Sequence, residues 1–384
     1  MIKTAPSLAF FAFAAAFGCS TCPAQTPLPL GQVTTDSLSP ATGVDDDGPH
    51  IYWESDTSAV VFYLCDGEFI EERHRVTDSL CFSGLCRDSD LEYTISAPPS
   101  EVAPSVFDNI PRILAVSDIH GEYEYFVDIL QKGGVIDSGL DWIWSSGHLV
   151  ILGDVFGRGD RVTESLWLIY RLERQARRHG GRLHFVLGNH ELMVLRGDNR
   201  YVHEKYLNGI VRKTRIRHED LYGPETELGR WLRTRHTAIR INDVVFVHGG
   251  ISPSVIDQKM HLNDLNGAVR AYLDISSARY AFADTAQLLF GSLGPLWYRG
   301  YFEEDSRGRY TRATADDVDS ILDFYGVDKI VVGHTENDQV LSLYGDKVIA
   351  IDVPAEDLNG FEALLWQDDH WYRVAVSGEP VALE

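Results

Sequence analysis

Six side chains suited to holding metal ions lie in five short motifs along this chain. They are Asp118 and His120 in Ser117-Asp118-Ile119-His120-Gly121, Asp154 in Gly153-Asp154-Val155-Phe156-Gly157-Arg158-Gly159, Asn189 in Gly188-Asn189-His190-Glu191, His248 in Val247-His248-Gly249-Gly250, and His334 in Gly333-His334-Thr335. This mixture of oxygen and imidazole donors suits Mn, Fe or Zn better than Ca or Cu. A carboxylate such as Asp154 has two oxygens and can bridge two ions. Two divalent or trivalent ions roughly 3.5–4 Å apart can hold a water as hydroxide between them and grip phosphate oxygens. The chemistry implied is hydrolysis of a phosphate ester without a covalent phosphoenzyme.

Three further side chains complete that chemistry. The leaving oxygen needs a proton, and His190, beside Asn189, is the candidate general acid. Arg158 offers a planar fork for phosphate oxygens. Glu191 or another carboxylate is the candidate partner orienting His190. Taken singly, each motif is ordinary turn chemistry. Five in one order, each after an apolar run, make a specific pattern.

The elements that must position these residues alternate between strand and helix from Arg112 onward, which predicts an α/β core. Strands are expected at Ile113 to Val116, His148 to Leu152, Leu183 to Leu187, within Ala238 to Val247, and at Lys329 to Val332. Helical periods run over Tyr123 to Lys132 and from Val162 through Leu172. Val340 to Tyr344, Lys347 to Ile351, Ala363 to Gln367 and Trp371 to Val376 read as a terminal run of antiparallel strands. The ligands then sit in loops past strand C-terminal ends, the edge where open α/β sheets bind ligands. Upstream, residues 46–100 form a small β-rich region, with strand-like runs separated by turns and Pro98, Pro99 and Pro104 at its end. Residues 101–384 form the catalytic domain.

The chain has 384 residues, with 44% hydrophobic and 24% charged, within the ordinary globular range. Its net charge of −23 argues against nucleic acid as a partner. Lys3, the apolar run Leu8 to Phe17 and the small residues ending at Ala24 read as a secretory signal over residues 1–24, followed by a linker over 25–45. The run is too short to span a bilayer, and no later segment is long and apolar enough. Cys19 is the alternative end of that signal, as a lipid-anchored residue. Export makes the chain periplasmic or secreted. Cleavage near Ala24 leaves Cys65, Cys81 and Cys86, of which Cys81 and Cys86 could close a small disulfide loop.

The five motifs together resemble the PPP-type branch of the calcineurin-like metallophosphoesterases. Val247-His248-Gly249-Gly250-Ile251-Ser252-Pro253 matches beyond the ligand itself, and Gly294-Pro295-Leu296-Trp297-Tyr298-Arg299-Gly300 resembles the segment carrying a second phosphate-binding arginine. With the signal sequence, the resemblance points to bacterial Shewanella-like protein phosphatases. It implies a four-layer α/β/β/α sandwich. It also implies one metal on Asp118, His120 and Asp154, and the other on Asp154, Asn189, His248 and His334. Arg158, Asn189 and Arg299 would bind phosphate, and His190 would act as general acid. The substrate class it implies is phosphotyrosine or phosphoserine/threonine in a protein or peptide, or a small phosphomonoester.

The chain departs from that pattern at two places. Gly157 stands where the family has an Asp that supports the general-acid histidine, and Asp160 is a candidate substitute. Ile351-Asp352-Val353-Pro354-Ala355 replaces a toxin-sensitive stretch, so okadaic acid and microcystin are expected to inhibit poorly. Two alternatives follow: a diester or dinucleoside polyphosphate hydrolase, or a catalytically weak phosphate-binding protein because of Gly157. A third reading takes Cys81 to Arg87 as the Cys-x5-Arg loop of a cysteine phosphatase, but no helix pattern follows it. Residues 196–240 carry 11 Lys and Arg against six Asp and Glu, with Arg212, Lys213, Arg215 and Arg217 clustered. They either draw anionic substrate or form a solvated face.

Overall fold

The structure is a computed structural model that describes residues 46–84, 86, 91–96, 101–275, 283–354 and 360–383. The expected signal sequence, Cys19, the linker and Arg87 lie outside the described residues.

The first strands are β1 (Asp47–Ser55), β2 (Ser58–Cys65), β3 (Glu68–Arg75), β4 (Ser79–Ser83), β5 (Glu92–Ser96) and β6 (Val106–Phe107). β1 to β3 form an antiparallel sheet, and β4 pairs with β5. Then come β7 (Arg112–Val116), α1 (Tyr123–Lys132), β8 (His148–Ile151), α2 (Val162–Arg178), β9 (Arg182–Phe185) and α3 (Asn189–Leu195). β10 (Ala238–Ile241), β11 (Val244–Val247), β12 (Lys329–Val332), β13 (Leu341–Leu343), β14 (Val348–Ala350), β15 (Glu362–Gln367), β16 (His370–Ala375) and β17 (Val381–Ala382) complete the strands.

Two six-stranded sheets carry the site. One has the order β17-β16-β15-β7-β8-β9, with β7, β8 and β9 parallel. The other has the order β13-β14-β12-β11-β10-β6, with β11, β12 and β14 parallel. The two-residue period of the strands builds the layers. Ile113, Ala115, Val150 and Leu152 of the first sheet meet Ile239, Phe246, Val331 and Ile349 of the second between the sheets. Leu114, Val116 and Leu149 face outward onto Phe126, Ile129 and Leu130 of α1 and Leu166 of α2. Val245, Val247, Ile330 and Val332 face outward from the second sheet. Strands buried on both faces read as continuous apolar runs, as β7, β8 and β11 do. The result is the expected four-layer α/β/β/α sandwich.

The terminal strands differ from their expected single antiparallel run. β13 and β14 join the second sheet, with β14 parallel to β12, whereas β15 and β16 join the first. Alternation marks a strand but not the sheet that receives it. β4 was not expected; its ends are polar serines and only Leu80 is fully buried.

The N-terminal strands brace α2, the helix that follows the Gly153 to Gly159 loop. Thr163 donates to buried Asp47 at 2.7 Å, and Trp167 Nε1 donates to the Pro49 carbonyl at 2.9 Å. Trp53 and Tyr170 both donate to Glu227, at 2.6 and 2.7 Å. Cys86 is bonded to Cys65 and not, as expected, to Cys81, which ties the loop after β4 to the end of β2. Cys81 lies inside β4, paired with Thr94 of β5, which overturns its reading as a phosphate-loop nucleophile.

Candidate metal centre

Each expected ligand follows the C-terminal end of a parallel strand: Asp118 after β7, Asp154 after β8, Asn189 after β9, His248 after β11 and His334 after β12. Turning abruptly out of a strand needs unusual backbone. Asp118, His120, Asp154, Arg158 and His334 all have positive φ, between 48° and 65°. Non-glycine residues rarely hold that conformation, and it concentrates at functional sites. Gly188 lets the β8 and β9 loops touch, since a Cβ there would lie 2.2 Å from Asp154 Oδ1.

The structure brings all six expected ligands together. Asp154 is central and 2% exposed. Its Oδ1 lies 3.3 Å from His248 Nε2, and its Oδ2 lies 3.8 Å from His120 Nε2 and 3.9 Å from His190 Nε2. His248 Nε2 is also 2.9 Å from Asn189 Oδ1. Asp118 Oδ1 faces His120 Nε2 at 3.9 Å, while its Oδ2 accepts from the Ser117 hydroxyl and from the His334 amide. Donor atoms of His120, Asp154 and His190 fall within 4.8 Å of one another, and so do those of Asp154, His248 and His334.

The hydrogen bonds around these imidazoles fit a metal. His120 Nδ1 donates to the Phe156 carbonyl at 2.8 Å, and His248 Nδ1 donates to the Leu152 carbonyl at 2.6 Å. A carbonyl only accepts, so each bond puts the proton on Nδ1 and turns Nε2 toward the carboxylates. His334 Nε2 is buried with no hydrogen-bond partner among the described residues. An orphaned imidazole nitrogen beside Asp154 is what an ion ligand looks like.

The electrostatics point the same way. Burial works against the Asp154 carboxylate, but His248, His190 and His120 hold it well below the usual carboxylate range. Burial also works against a charged His248, yet Asp154 and Asp118 raise it to about 10. The carboxylates that draw a proton onto His248 would equally draw a cation. Burial, then the neighbouring His248 and Arg299, push His334 well below its ordinary value. Burial pushes His190 down to about 4, with Asp154 opposing and His120, His248 and Arg158 adding.

Glu191 does not orient His190. It reaches back and accepts from the amides of Gly188 (2.7 Å), Asp154 (2.8 Å), Val155 (2.8 Å) and Phe156 (3.3 Å). It therefore fixes the ligand loop itself. Asp160 is exposed, and no hydrogen bond among the described residues joins its carboxylate to His190. Arg158 lies at the cleft mouth, where Nη1 donates to Glu336 at 2.9 Å. Arg299 donates to the Thr335 hydroxyl at 3.2 Å, beside His334. Glu336, Thr335 and Asp352 were not foreseen. Asp352 is 3% exposed, and burial together with Asp118 pushes its carboxyl well above the usual range. The only sequence signal was its place directly after β14's apolar run.

The basic segment does not line this cleft as a unit. Lys213 Nζ donates to the Gly67 carbonyl in the N-terminal sheet, and Arg217 pairs with Asp220 at 2.7 Å. Arg215 borders a separate cavity of about 550 Å³ with Tyr52, Phe62 and Leu221.

The sequence profile of calcineurin-like phosphoesterases matches residues 111–337, which hold every expected ligand. The chain belongs to the calcineurin-like phosphoesterase family. It is a metal-dependent phosphatase. The crystal structure of the cold-active protein-tyrosine phosphatase of a psychrophilic Shewanella species superimposes with a TM-score of 0.81 at 36% identity, covering 88% of this chain and 100% of that one. Shewanella-like protein phosphatase 2 of Arabidopsis thaliana is 27% identical over 332 residues, covering 71% of this chain and 83% of that protein. A symmetrical bis(5'-nucleosyl)-tetraphosphatase of Buchnera aphidicola is 30% identical over only 142 residues, 36% of this chain and 44% of that protein. Among the described residues no helix is long and apolar enough to cross a membrane.

Proposed function

We propose that this calcineurin-like phosphatase hydrolyses phosphate monoesters at a dinuclear metal site, with phosphotyrosine in proteins or peptides as its preferred substrate class. The observation that carries the dinuclear reading is Asp154, whose two oxygens face different histidines, His248 on one side and His120 on the other. One metal would be held by Asp118, His120 and Asp154, and the other by Asp154, Asn189, His248 and His334. Such ions supply a nucleophilic water at neutral pH and offset charge on the phosphoryl oxygens.

The chain's own side chains do the rest. Arg158 exchanges Glu336 for phosphate oxygens, and its planar fork fixes the phosphoryl group in bidentate fashion. Arg299 approaches the same space from the Thr335 side. His190 sits next to Asn189 at the start of α3 and gives a proton to the departing oxygen, so the alkoxide or phenoxide need not leave as an anion.

The phosphotyrosine preference rests on likeness to the Shewanella tyrosine phosphatase along the whole of that chain. The tetraphosphatase likeness covers under half of its own chain and favours a monoesterase over a dinucleotide hydrolase. The test is a panel of phosphotyrosine, phosphoserine and phosphothreonine peptides, with 4-nitrophenyl phosphate set against bis(4-nitrophenyl) phosphate and a chelator control. Faster turnover of the bis ester would overturn the monoester reading. A chelator-resistant rate would overturn the metal. We also propose export, which N-terminal sequencing of the mature protein would check by finding a start near residue 25.

A further inference from the structure

Among the described residues, no carboxylate holds the ring of His190, the proposed proton donor. Its nearest carboxylate oxygen, Asp154 Oδ2, stands 3.9 Å from Nε2, and that oxygen also faces His120. Where the resembling motif has an aspartate, this chain has Gly157, with φ +88°. A Cβ built on Gly157 would lie 2.4 Å from His190 Nδ1. The imidazole therefore occupies the space in which a side chain at 157 would begin. No residue larger than glycine fits there with the ring in this position.

What does touch the ring is aromatic. The Tyr201 ring lies on His190 with centroids 5.0 Å apart and planes tilted by 35°. The His120 ring meets it edge-on at 4.6 Å. Tyr201 is also fixed from behind, since its carbonyl accepts from the Arg158 amide at 2.7 Å. One residue thus joins the phosphate-binding arginine's backbone to the face of the proton donor. Tyr201 is half exposed, at the rim of the cleft.

We propose that Tyr201 is the positioning residue for His190, a tilted ring contact standing in for the missing carboxylate. The inference rests on the reading of His190 as general acid. A ring packed against the imidazole limits its rotation without adding charge to it, and Gly157 leaves room for the imidazole in this position. The ring does this, not the hydroxyl, so phenylalanine should serve.

The test compares substrates that differ in their need for a proton. A general acid matters for phenyl phosphate, whose leaving group is poor, and little for 2,4-dinitrophenyl phosphate, whose leaving group departs unaided. Tyr201→Ala should lower kcat for phenyl phosphate roughly 10- to 100-fold, the cost of a misaligned group. It should change kcat for the dinitrophenyl ester less than about 2-fold, with KM for both held by Arg158 and Arg299. Tyr201→Phe should restore the phenyl phosphate rate. In the zinc-loaded protein, the His190 Cε1–H resonance should shift in Tyr201→Ala and stay in place in Tyr201→Phe, a readout independent of turnover.

Equal losses on both esters, a change in KM alone, an unmoved resonance, or failure of Tyr201→Phe to rescue would each overturn the proposal. His190→Ala separates this failure from that of the underlying reading. If His190→Ala discriminates between the esters but Tyr201→Ala does not, the ring contact has no positioning role. If His190→Ala does not discriminate either, the general-acid assignment falls and takes the proposal with it.

Discussion

Arg158 and Glu336 meet across the mouth of the metal cleft, 2.9 Å apart and each about half exposed. They come from loops of different sheets, one following β8 and the other following β12. An ion pair this exposed contributes about 0–1 kcal/mol, so phosphate can displace the carboxylate at small cost. Glu336→Ala should lower KM for 4-nitrophenyl phosphate about 2- to 5-fold and leave kcat nearly unchanged. Arg158→Ala should lower kcat/KM about 100-fold or more. Steady-state kinetics on the two variants measure both, and a raised KM in Glu336→Ala would show that Glu336 aids substrate.

Asp154 is the hub of the donor set, and Asn is its closest neutral replacement. Asp154→Asn removes the charge that His248 and His120 face and should cost both ions together. On the proposed dinuclear reading, metal content per chain should fall toward zero, with kcat down at least about 1,000-fold. Loss of one ion with the other kept would show that Asp154 is not shared.

Glu191 accepts from four amides, so its removal should be felt in stability before catalysis. Each buried amide left unpaired costs about 1–3 kcal/mol. Glu191→Ala is expected to lower unfolding free energy by about 3–5 kcal/mol after partial relaxation. Urea denaturation with and without metal checks this, and a similar loss in both conditions locates the effect in the loop rather than in the ions.

At the opposite end of β8 from Asp154, His148 and His184 of β9 lie between the sheets with Nδ1 and Nε2 3.0 Å apart. Burial, then Arg182, pushes His148 down to about 4, and burial, then His148, pushes His184 well below its ordinary value. A histidine whose folded pKa is depressed binds fewer protons folded than unfolded across that window. Stability is therefore full above the unfolded value near 6.5 and is lost as pH falls from there toward 4. The His148 share is about 3 kcal/mol. Urea midpoints measured from pH 7 to pH 4 should fall steeply in the native protein and less steeply in His148→Leu. Parallel curves would remove His148 as a source of the slope.

Asp118, Asp154, Asn189, His248 and His334 were legible because each combines a turn-forming neighbour with an apolar strand before it. That signal is local. Glu191 was misread because adjacency in sequence suggested a partnership with His190. A helix sends successive side chains about 100° apart, and α3 turns Glu191 back onto the loop amides. Tyr201, Glu336 and Asp352 reach the cleft through loops without a period, so no spacing announces them. The disposition of β13 to β16 stayed hidden for a related reason, since alternating residues record a strand's faces but not its neighbours.

Asp118, Asp154 and Asn189 belong to one sheet, and His248 and His334 to the other. Whatever cations settle there act as rivets through the middle of the sandwich, fastening an early stretch of the chain to a late one. Synthesis of His334 must be finished before such a fastening can close. A chain cut short of that residue would still hold His248 against Asp154 and Asn189, yet it would lack the last donor and leave the fastening half made.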